Sequence, residues 1–101
     1  MSARSTIGGS AIVAIARDVL GSEIGSEVVM LNLHDGTYYG LDDVGAEIWR
    51  LIQTPTTIDG IVTALVRTYD VDANRCRTDA IALLENLAER GLIEIRNHDE
   101  P

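Results

Sequence analysis

The chain has 101 residues, enough for one small domain but not for two. Apolar residues make up 46% of it, too many for a disordered tail, while the early apolar run 11–16 falls far short of the ~20 residues that cross a bilayer. Eight arginines, no lysine and sixteen acids leave a net charge of −8, which works against phosphate and so against nucleic-acid or anionic-membrane partners.

Residues 1–10 are rich in Ser, Gly and Thr and read as a flexible N-terminus. Only Arg4 precedes the apolar run and Arg17-Asp18 closes it, so the pattern does not fit a secretory signal and a cytoplasmic location is expected. Ile12 to Ile15 is a candidate for an extra strand, and Val19 to Ile24 is a weak strand closed by Gly25-Ser26. Glu27 to Leu33 is a strong strand, β-branched and apolar. Asp35-Gly36 then signals a two-residue type I′ hairpin turn, with Thr37 to Leu41 as the return strand. That turn would pair Leu33 with Tyr38 and Leu31 with Gly40 on one face, and Asn32 with Tyr39 and Met30 with Leu41 on the other. Neither face is polar. Either helices and the N-terminal segment hide both, or some apolar surface stays open to a partner.

The second half is helical. Asp42 or Asp43 caps a first helix that runs to about Gln53, with Val44, Ile48, Leu51 and Ile52 on one face. Thr56 or Thr57 caps a second, carrying Ile58, Ile61, Val62, Leu65 and Tyr69 at helical spacing. Asp72 caps a third over about Ala73 to Arg90, whose buried side is Cys76, Ala80, Leu83, Leu84 and Leu87. Gly91 ends it as a C′ glycine, Leu92 to Ile95 packs back as an extended segment, and 96–101 is a polar tail. The whole is α+β: a three-stranded antiparallel sheet followed by three helices, winged-helix-like because a tight turn joins the last two.

Chemistry is sparse. The lone Cys76 excludes an internal disulfide and a cysteine-rich metal site, and His34 and His98 lack any ligand spacing. No nucleophile elbow, P-loop or dinucleotide fingerprint is present, so no catalytic residue, metal or cofactor is expected. A Cys76–His34 pair is the one nucleophile arrangement on offer, and the place of Cys76 on an apolar stripe makes it a buried thiol instead. Binding is the better expectation. The return strand leaves one edge unpaired, and an edge strand can accept a peptide as a further strand. Arg75, Asp79, Ala82 and Asn86 form a stripe along the third helix. That stripe is either a solvated flank or, with the edge strand, the second wall of a groove.

The run Gly36-Thr37-Tyr38-Tyr39-Gly40-Leu41-Asp42-Asp43-Val44-Gly45-Ala46-Glu47-Ile48-Trp49 resembles the PqqD-like proteins, or RiPP recognition elements. So do Thr57 to Val62, Tyr69-Asp70-Val71, and Asp79 through Leu83-Leu84, Leu87 and Gly91-Leu92-Ile93, so that the resemblance covers about 11–95. It implies a winged-helix-like domain that binds the leader of a ribosomally made precursor peptide, antiparallel to the third strand and beside the third helix. The Tyr-Tyr-Gly-Leu run is most like the stand-alone recognition protein of lasso-peptide pathways, whose implied companions are a leader peptidase and an ATP-dependent cyclase. The coenzyme PQQ branch, with a radical SAM enzyme, is the second choice. Carried over by position, the leader-binding residues are Tyr38, Tyr39 and Gly40 on the strand, with Arg75, Asp79, Ala82, Leu83 and Asn86 on the helix. Trp49, Ile48, Leu65, Leu84 and Leu87 are core. The rivals are a winged-helix DNA-binding regulator reading through Arg75 and Arg77, and a dimerisation or adaptor module. The zero net charge of the third helix argues against the first.

Overall fold

The computed structural model describes residues 8–96. The expected N-terminal segment and polar tail therefore lie mostly outside the described residues. Gly8 to Ser10 are described, and the Gly9 carbonyl accepts a hydrogen bond from Asp59 N at 3.0 Å.

Nine elements follow in order: β1 (Ile12–Ile15), β2 (Val19–Ile24), β3 (Glu27–Asn32), β4 (Tyr38–Leu41), α1 (Val44–Leu51), β5 (Thr56–Thr57), α2 (Ile58–Tyr69), α3 (Ala73–Glu89) and β6 (Ile93–Arg96). The three strands expected as a meander form one antiparallel sheet, ordered β2-β3-β4. The candidate extra strand is real but does not join them. It is the centre of a second sheet, β5-β1-β6, which pairs Val13 with Thr56 on one side and Ile95 on the other. This second sheet is the wing beside the helix-turn-helix of α2 and α3.

Helix ends follow local chemistry. Thr57 Oγ1 accepts from Gly60 N at 3.0 Å, and Asp72 Oδ2 from Arg75 N at 2.9 Å, so both expected caps satisfy orphan donors. Asp43 stands at the start of α1 without a side-chain cap, at φ 44° and ψ −113°, a region that disfavours a residue with a Cβ. At the end of α3, Gly91 takes φ 75°, Leu92 N donates to Leu87 O and Gly91 N to Ala88 O, the paired bonds of a Schellman motif.

The hairpin differs from the expected type I′ turn. Gly36 has φ 76° but Asp35 is not left-handed, so the two positive φ angles that turn needs are not available. Instead Asn32 N donates to Thr37 O and Gly36 N to Asn32 O, each at 2.9 Å, enclosing a four-residue loop. Side chains favour the wider loop: Asn32 Oδ1 accepts from His34 N, and Asp35 Oδ1 accepts from both N and Oγ1 of Thr37. Those bonds from Thr37, the backbone one first, hold the Asp35 carboxyl below its ordinary range. Tyr38 thus faces Leu31, Gly40 faces Val29, Tyr39 faces Met30 and Leu41 faces Val28. A slip of two residues keeps every side chain on its expected face.

Val28, Met30, Asn32 and Leu41 turn inward and are buried. They join Val13 of β1, Ile48 of α1, Ile61 and Leu65 of α2, and Leu84 and Leu87 of α3 in one core. Trp49 is only partly buried, packed on the core rim rather than inside it. Leu20, Ile24 and Tyr38 stay exposed, so the outer face of the β2-β3-β4 sheet is the open apolar surface.

Candidate functional site

β4 is an edge strand, paired only with β3. In an antiparallel ladder alternate residues turn their N–H and C=O toward the partner. The Asn32–Thr37 bond fixes the phase: Thr37, Tyr39 and Leu41 point theirs at β3, and Tyr38 and Gly40 point theirs at the free edge. The three strand residues therefore differ in role. Tyr38 and Gly40 offer backbone groups, whereas Tyr39 directs its side chain inward toward α3.

Where the chain leaves β4 for α1, a cavity of about 330 Å³ opens between α1, α2 and α3. Its apolar walls include Val44, Leu65, Tyr69, Val71, Cys76 and Leu83. Three of these, Val44, Tyr69 and Val71, are more than a third exposed although apolar. Arg75 and Asp79 stand at the rim, their charged groups 4.0 Å apart and both well exposed. Burial, and secondarily the charge of Asp79, push the Cys76 thiol above its ordinary range. His34 pairs instead with Asp18 on the hairpin side, at 2.7 Å. Among the described residues no three His, Cys, Asp or Glu side chains gather as a metal site.

The other end of α3 closes on β4. Arg90 Nε donates to Asn86 Oδ1 at 3.0 Å, and its guanidinium carbon lies 5.1 Å from the centre of the Tyr39 ring. Of the eight sequence-derived residues, Arg75, Asp79 and Leu83 meet at the cavity, and Tyr39 and Asn86 meet through Arg90. Ala82 is exposed beside Leu83 and does not line the cavity. Sequence reasoning missed Val44, Tyr69, Val71 and Arg90. Val71 between two aspartates was a usable signal, and Arg90 extends the α3 stripe one turn past Asn86.

The described residues form a winged-helix-type α+β domain with an open strand edge and an apolar cavity between its three helices. Residues 27–93 match the model of coenzyme PQQ synthesis protein D, PqqD, and the chain belongs to that family. The PqqA binding protein of Rhodopseudomonas palustris (strain BisB5) is 28% identical over 60 residues, which are 59% of this chain and 59% of that protein. Thus the chain spans about three-fifths of the curated relative it matches. Among solved structures, TbiB1 in complex with the TbiA(beta) leader peptide superposes with a TM-score of 0.77 at 38% identity, over 80% of this chain and 94% of that one. Lasso peptide synthetase B1 complexed with the leader peptide shares the fold at a TM-score of 0.73 and 21% identity, over 81% and 96%.

Proposed function

We propose that residues 11–95 form a non-catalytic recognition domain that binds the leader of a ribosomally made precursor peptide by strand addition. The observation that carries this is the free β4 edge, with the Tyr38 and Gly40 backbone groups turned outward, together with an apolar cavity along α3. Main-chain hydrogen bonds to the edge would supply affinity, and alternate leader side chains entering the cavity would supply specificity. The likeness to TbiB1, solved with a leader peptide, supports the same reading. We assign the protein to the cytoplasm and to a lasso-peptide pathway, with a leader peptidase and a cyclase downstream. A PQQ-type pathway with a radical SAM enzyme is the second choice. The apolar outer face around Leu20 and Tyr38 leaves such enzymes a surface to meet while the groove is filled.

DNA binding has less support. Arg77 Nη2 is held by Asp59 at 2.6 Å and Arg75 has Asp79 beside it, so each cation of α3 has an acid next to it in a chain of net charge −8.

The test is calorimetry with the precursor leader encoded beside the gene, in the presence of a chelator. Binding is expected without metal or nucleotide. Asp79→Ala should weaken it at least tenfold, about 1.4 kcal/mol, because a charged hydrogen bond in a partly dry cleft contributes ~1.5–3 kcal/mol. The exposed Arg75–Asp79 pair adds only ~0–1 kcal/mol to folding, so the melting temperature should hold. Absence of binding overturns the proposal; unchanged affinity in Asp79→Ala removes that residue from the site.

A further inference from the structure

Arg90 is fixed in three ways. Its carbonyl accepts from the buried Asn32 Nδ2 at 3.2 Å, its Nε donates to Asn86 Oδ1, and its guanidinium covers the Tyr39 ring. Its terminal nitrogens have no carboxylate partner among the described residues, whereas Arg50, Arg75, Arg77 and Arg96 each have one within 4.0 Å. Arg17 and Arg67 also lack a carboxylate there, but neither is held by a side-chain hydrogen bond or an aromatic ring. Among the described residues Arg90 is therefore the cation that is held by a side-chain hydrogen bond and an aromatic ring yet has no carboxylate partner, in a chain of net charge −8.

We infer that Arg90 reads a carboxylate: it receives an Asp or Glu side chain of the bound peptide and so pins the peptide's register in the groove. This rests on the leader-binding reading above. At the cavity an acid meets Asp79, whose charge offsets that of Arg75 beside it; at the Arg90 end it meets a cation whose two terminal nitrogens are unused. Because Asn86 and Tyr39 already hold the side chain, little rotamer freedom remains to be lost on binding. From Arg75 to Arg90 the helix advances roughly 22 Å, which an extended peptide covers in about seven residues. One peptide can thus fill the cavity with an apolar side chain and reach Arg90 with an acidic one.

The experiment selects phage-displayed random peptides of about 12 residues, longer than that span, on the wild-type protein and on Arg90→Gln. The wild-type pool should fix Asp or Glu at one spacing from an apolar anchor. The Arg90→Gln pool should keep the anchor and lose the acid. A synthetic peptide of the wild-type consensus should bind Arg90→Gln at least roughly tenfold more weakly, and its Asp→Asn or Glu→Gln version should bind both proteins alike. Melting temperatures confirm that the variant folds; if it does not, the acid-to-amide change tested on wild-type protein alone decides. Pools without an acid preference, or with the same one in both proteins, overturn the inference and leave leader binding standing. No anchored peptide in either pool overturns leader binding and the inference with it.

Discussion

Cys76 is 9% exposed at the wall of the cavity, and its thiol is pushed up first by burial and then by the charge of Asp79, with Arg77 pulling weakly the other way. The thiolate is the reactive species, so a raised pKa means less of it at neutral pH than in the unfolded chain. Alkylation by iodoacetamide at neutral pH should run slower than in denaturant. Its rate should still be rising with pH beyond the ordinary thiol value of 9.0, where that of the unfolded control levels off. A peptide seated in the cavity should slow it further. Labelling as fast as in the unfolded control would take the thiol out of the cavity wall. Tyr39 and Arg90 show a different residue-level point: a pair 51 positions apart joins the end of α3 to β4, and nothing local in the sequence announces it.

Between elements, α1 meets β2 through the Arg50–Glu23 ion pair and through one close approach at Gly21. A Cβ built on Gly21 would lie 2.5 Å from the Trp49 indole, so the ring rests where only glycine leaves room. Trp49→Ala should lower the unfolding free energy by about 3 kcal/mol, the low end for an aromatic truncation because the ring is only partly buried. Gly21→Val should destabilise too, by displacing the same ring. Urea denaturation of both variants checks this; an unchanged midpoint in Trp49→Ala together with lost peptide binding would move Trp49 into the site. The helices were legible because their signals are local: Thr57, Asp72 and Gly91 each act within four residues in sequence. The strands were legible as segments but not as sheets. β1 finds its partners 45 and 82 positions away, Ile12 at Thr57 and Val13 at Ile95, and only the assembled core selects them. The hairpin register was lost to side-chain bonds of Asn32 and Asp35 that compete with the backbone preference of Asp-Gly. The edge and the α3 stripe followed from pattern, whereas the cavity needed three helices in place.

At the scale of the molecule, both sheets and all three helices drain into one core, with Val13 of the wing and Met30 of the meander in the same cluster. Such a domain should unfold in a single step. The cavity is built from α1, α2 and α3 together and the free edge from β4, so the proposed binding surface exists only in the folded state. A leader peptide that binds it must then stabilise the whole domain rather than one sheet. At a hundredfold excess over Kd the gain is about 2.7 kcal/mol. For a domain of this size each kcal/mol moves the melting temperature by ~4–8 °C, so a rise of roughly 10–20 °C is expected. The rise should grow with the logarithm of peptide concentration, and near- and far-ultraviolet circular dichroism should report the same midpoint at every concentration. If the two probes separate, with only one transition moved by the peptide, then the wing and the meander are independent units, and the groove does not depend on the shared core.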